Sequence, residues 1–171
     1  VVPRMCFSYD AEKAGTVVRW LLRRHGGQLD KIKLIKLLFL ADRAHLARYG
    51  RPIIGGRYVA MPHGPVHSEV YGAIRAGTLK SVTATRVVVR TTNAPVDEDV
   101  LSESDIEILL EVDAKFGQWD TWRLGNHTHL LVAWRRNYPN DGSSHPLPYE
   151  DFFIDLPIDD QTILPLIEEA Q

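Results

Sequence analysis

The run Leu34-Ile35-Lys36-Leu37-Leu38-Phe39-Leu40-Ala41 constrains this chain more than any other feature. Asp30 ahead of it can cap a helix and Gly50 can stop one, which sets a helix from about residue 31 to 49. Its apolar side chains surround the axis, and Lys33, Lys36 and Arg43 share one narrow face. A helix apolar nearly all round belongs in the middle of a core, with other elements packed about it. The expected architecture is a mostly α, compact helical domain around a central buried helix. A small β-sheet element makes it α+β. With 171 residues, one domain is expected. Its core spans about residues 8–155, and residues 156–171 form an acidic, proline-containing tail.

The remaining elements follow from periodicity and punctuation. Ser8 is placed to cap a first helix ending near His25, with Ala11, Ala14, Val17, Val18, Leu21 and Leu22 as its apolar stripe. Residues 57–61 are strand-like. Pro62-His63-Gly64-Pro65 is a turn, and Pro65 suits the first position of a third helix that Gly77 ends. Residues 81–92 are β-branched and read as one strand, paired with 57–61. Ser102 and Asp105 form a capping box for a fourth helix closed by Gly117. Residues 120–124 and 128–136 predict two short helices, 140–144 a loop, and 162–170 a last helix broken by Pro165.

Charge is unevenly spread although the net is only −2. Residues 1–60 carry twelve Lys/Arg against four Asp/Glu, or +8; residues 101–171 carry four against fourteen, or −10. Two folded halves that neutralise each other account for this, and a bipolar face for a charged partner is the rival reading. The single cysteine, Cys6, excludes an internal disulfide. No apolar run approaches the roughly 20 residues of a membrane span. Val1–Met5 has no signal-peptide pattern, so a cytoplasmic protein with no membrane contact is expected.

Catalytic chemistry finds little support. There is no Gly-x-Ser-x-Gly elbow, phosphate loop or dinucleotide fingerprint, and Cys6 stands without a local motif. His63, His67, His127 and His129, with Glu69 as a base, are the material for a zinc site. However, His63 precedes the third helix and His67 lies within it, and no Cys or Asp completes a known spacing. Neither a catalytic residue, a metal nor a cofactor is expected. Arg19, Arg23, Arg24, Lys31, Lys33 and Lys36 offer positive charge for nucleic acid, but no helix-turn-helix or RNA-binding motif accompanies them. Trp119, Trp122 and Trp134 fall within sixteen residues beside His127 and His129, a composition suited to core packing or to interface anchors.

Several ordered motifs resemble a known family. Lys33-Leu34-Ile35-Lys36-Leu37-Leu38-Phe39, Tyr49-Gly50-Arg51-Pro52 and Gly64-Pro65-Val66 with Val70-Tyr71 are similar to the Panacea domain of SocA-like antitoxins, also met as phage-associated proteins. The Leu101-Ser102-Glu103 helix start, and Thr128-His129 followed by Trp134, resemble the second half of that family. The likeness spans about residues 13–155, and the stretch Met61-Pro62-His63-Gly64 departs from its usual apolar or aromatic lead into the glycine. The resemblance implies a mostly helical antitoxin that binds and neutralises a toxin encoded nearby. Alternatives are an adaptor that presents its partner to a protease and a nucleic-acid-binding regulator; self-association is compatible with all three. The expected contact surface joins residues 62–71 to residues 119–134. It comprises His63, Gly64, Pro65, His67, Tyr71, Trp119, Trp122, His129 and Trp134. Failing that, it is the basic face of Arg19, Arg23 and Lys36.

Overall fold

A computed structural model of the chain describes residues 4–154. The tail and its proposed helix at 162–170 therefore lie outside the described residues. Helix α1 (Ala11–Arg24) leads through β1 (Gln28–Asp30) into α2 (Lys31–Tyr49). A hairpin of β2 (Tyr58–Met61) and β3 (Gly64–His67) precedes α3 (Ser68–Ala76). Strands β4 (Val82–Ala84) and β5 (Val88–Thr91) follow. The chain continues through a short 3-10 turn at Glu98–Val100 into α4 (Glu103–Phe116), α5 (Thr121–Leu130) and α6 (Val132–Asn137). Strand β6 (His145–Leu147) and a 3-10 turn at Tyr149–Phe153 close the described chain. The fold is α+β and mostly helical, with two small antiparallel sheets ordered β1-β5-β4 and β3-β2-β6.

The all-round apolar helix is central. Leu34, Leu37, Leu38, Phe39, Ala41 and Leu46 on α2 have no exposed surface. The helix packs against α1, α4, α5 and β3. Its polar side chains tie it to both ends of α4 and to the segment leading into β2. Lys33 Nζ donates to Gly117 O at 2.6 Å, at the carbonyl-rich end of α4 where a cation is favoured. Asp42 is fully buried and accepts from the backbone of Ile53 and Ile54 and from the Tyr58 hydroxyl at 2.6 Å. Burial pushes its carboxyl above the ordinary range. His45 bridges Arg51 O and Ser104 Oγ.

Four local expectations differ from the structure, each for a tertiary reason. The cap of α1 is Asp10, whose side chain accepts from Lys13 N, not Ser8. The Asp10 N–H binds Ile54 O and holds the preceding chain extended. Pro65 belongs to β3 opposite Ala60, an edge-strand place where its missing N–H is tolerated, rather than to the third helix. That helix starts at Ser68, capped by the His67 ring, which accepts from Val70 N at 3.1 Å. Residues 81–92 form two strands, because the Thr85 hydroxyl accepts from Val87 N and Val88 N and turns the chain. They do not pair with 57–61, since β3 and β6 occupy both edges of β2. Finally, one helix covers Thr121–Leu130, and the break expected before Thr128 falls at Leu131 instead. The Ser102–Asp105 capping box forms as read.

Candidate partner-binding surface

The β2–β3 hairpin turns through Pro62 and His63, both exposed, with Met61 paired to Gly64. Trp134 on α6 donates its indole N–H to Met61 O at 2.8 Å, which anchors the hairpin to the helices. Gly64 has φ 108°, and a Cβ there would stand 2.8 Å from Thr128 Oγ1 and 2.9 Å from Lys36 Nζ. Both the backbone and the space at this position demand glycine. His129 stacks on Trp134 at 4.2 Å, and Trp134 stacks in turn on Tyr138 at 4.8 Å. Burial and the nearby Lys36 lower the His129 pKa, while the carbonyls of Pro62 and His63 oppose them. The neutral ring is thus favoured between hairpin and helix.

The structure therefore joins the two stretches singled out in the sequence at one seam: His63, Gly64 and Pro65 against His129 and Trp134. It divides the other predicted contact residues. Gly64, Pro65 and His67 are buried, so their side chains offer nothing to a partner. His67 spends both ring nitrogens internally, bonding Gly55 O at 2.6 Å and Val70 N. Trp119 is half-buried, edge-on to Phe116 and His127, with the Arg123 guanidinium 3.7 Å from its ring centre. Trp122 is 77% exposed and Leu130 is 71% exposed. With exposed Asn126 between them, they sit four residues apart and share one face of α5. Leu130 was missed in the sequence because the expected helices at 120–124 and 128–136 put it on a different helix from Trp122, whereas one helix carries both. Its eight-residue spacing from Trp122 is the signal that finds it.

A family model described as "Antitoxin SocA-like, Panacea domain" matches residues 34–135. The chain belongs to the SocA-like Panacea domain family. No curated protein and no solved structure matches it. The matched span of this Panacea domain runs from α2 to α6 and so contains the hairpin, its seam with α5 and α6, and the exposed stripe. No helix among the described residues is long and apolar enough to cross a membrane. No group of three or more His, Cys, Asp or Glu side chains among them is placed to hold a metal ion.

The other face of the hairpin in this Panacea domain borders a pocket of about 590 Å³. Its lining includes Lys36, His63 and Tyr71, so Tyr71 faces this pocket and His63, at the exposed hairpin tip, borders it too. Lys36 was read as part of a polar surface face. It is instead 1% exposed, with Nζ donating to Pro65 O at 2.9 Å. Burial alone pulls its pKa down to about 7.

Proposed function

We propose that this Panacea domain is the antitoxin of a toxin–antitoxin pair and neutralises its toxin by direct contact, acting by binding rather than by turnover. The contact surface is the α5 stripe of Trp122 and Leu130, continued by the exposed Pro62–His63 tip. The exposure of Trp122 carries this reading. A tryptophan left in water on a helix whose opposite side is fully packed has the make-up of an interface anchor. Family membership supports a protein partner. The seam of Trp134, His129 and Gly64 supplies rigidity, so little ordering is lost when a partner docks.

The test is co-expression with the product of the neighbouring toxic reading frame, reading growth rescue and co-purification. Trp122→Ala and Leu130→Ala should keep the parental melting temperature. The tryptophan variant should weaken partner binding by about 2 kcal/mol or more, roughly thirtyfold, and lose rescue. Two folded variants that rescue as well as the parent would remove the stripe from the interface. Rescue that disappears when cellular proteases are deleted would replace neutralisation by contact with delivery for degradation.

A further inference from the structure

The pocket beside the hairpin is built from several separate elements. The start of α2 supplies Lys31, Ile32, Ile35 and Lys36; the β2–β3 hairpin supplies Met61, His63 and Val66; α3 supplies Tyr71 and Arg75; and the β4–β5 turn supplies Arg86 and Val87. Four permanent or titratable cations other than histidine thus face one cavity. Asp30 is the only carboxylate in its lining, and Asp30 accepts the N–H groups of Ile32 and Lys33 as the α2 cap. Among the described residues, Lys31, Lys36, Arg75 and Arg86 form no ion pair.

Lys36 is the deepest of them. An ammonium carries three donors, and Pro65 O takes one. No carboxylate among the described residues compensates this buried cation, although buried charges are ordinarily paired. The described residues supply no counter-charge for its protonated form, and the pocket it lines leaves room for an anion to do so. The charge balance then decides the class of ligand. A single carboxylate would neutralise one of the cations and leave the pocket positive. A phosphate monoester carries nearly two negative charges near neutral pH and three acceptor oxygens. The remaining wall is apolar or aromatic, formed by Ile32, Ile35, Val66 and the Tyr71 ring on which Arg75 rests at 5.7 Å. A volume of about 590 Å³ suits a small molecule.

We propose that this pocket binds a small phosphorylated organic molecule, its phosphate held by Lys36 with Arg75, Arg86 and Lys31, and its apolar or aromatic body lying against Tyr71 and Ile35. The pocket lining contains neither Trp122 nor Leu130 and shares only His63 with the proposed contact surface, and the inference does not depend on the antitoxin reading.

Calorimetric titration of the full chain tests it, with AMP and phenyl phosphate as probes and adenosine and phenol as their uncharged counterparts. Both phosphates should bind at micromolar to millimolar concentration, and the uncharged compounds should not. Lys36→Met should weaken phosphate-probe binding by about tenfold or more, the worth of a charge-assisted bond. Arg86→Gln, on an exposed turn, should fold as the parent and weaken binding severalfold, so the inference stays testable if the Lys36 variant unfolds. Trp122→Ala should leave the titration unchanged. The proposal is overturned if neither phosphate binds better than its uncharged counterpart. It is equally overturned if folded Lys36→Met and Arg86→Gln bind both probes as the parent does.

Discussion

At the scale of single residues, Lys36 has a cost that can be measured. Its ammonium is charged in the unfolded chain up to about pH 10.4, whereas burial lowers its pKa in the folded protein to about 7. The folded state therefore binds fewer protons between those values. The Lys36 contribution to stability is most unfavourable below pH 7 and is relieved as pH rises toward 10. Lys36→Met should raise the urea midpoint most at about pH 6 and least at about pH 9.5. An equal gain at both values would show that the lysine is not held in the way its burial implies. Nothing in the sequence could have flagged this lysine. Spacing put it on a narrow polar face of α2, and only the fold lays the β2–β3 hairpin over that face. His67 was hidden for a related reason. Its ring caps α3, a task that sequence rules assign to Ser, Thr, Asp or Asn.

At the scale of elements, the central helix was the most legible part of the chain, because an apolar surface on every side leaves only one place for a helix to go. Leu38 is fully buried, and Leu38→Ala should cost about 2–5 kcal/mol in chemical denaturation. An unchanged midpoint would displace α2 from the core. The strands were less legible because pairing is decided by what else competes for an edge. The stretch 81–92 has strand composition throughout, yet a single hydroxyl, that of Thr85, folds it into two. Strands β1 and β6 are three residues each and too short to show any period. In the candidate surface, the tryptophans were found by composition alone. Their division into the packed Trp119 before α5, the exposed Trp122 on α5 and the anchoring Trp134 on α6 depended on how these segments pack, and that is a tertiary fact.

At the scale of the whole molecule, part of the uneven charge resolves, among the described residues, into contacts between the early basic segments and α4. Lys13 and Arg51 lie 2.6 and 3.2 Å from Asp105, Arg24 lies 3.1 Å from Asp113, and Arg48 reaches both Glu107 and Glu111. The basic early segments thus meet the acidic α4. The Arg48 pairs are half-exposed and contribute little. Asp105 is different, being fully buried. Burial pushes its carboxyl up, but Lys13, the Ser102 N–H and Arg51 together bring it below the ordinary range. Its stabilising effect is thus present at neutral pH and lost as acid protonates it. Asp105→Ala should destabilise the protein by about 3–5 kcal/mol near pH 7, with a smaller loss near pH 3, read by urea titration at each pH. The same arrangement sets a problem during synthesis, which runs from the N-terminus. Helix α2 leaves the ribosome before α4 and α5 exist, with its apolar sides uncovered and the cations around it unmatched. Strand β2 waits longer still for β6, about ninety residues further on. A chain cut short near residue 100 would therefore be a basic fragment whose central helix keeps the sides meant for α4 and α5 in water.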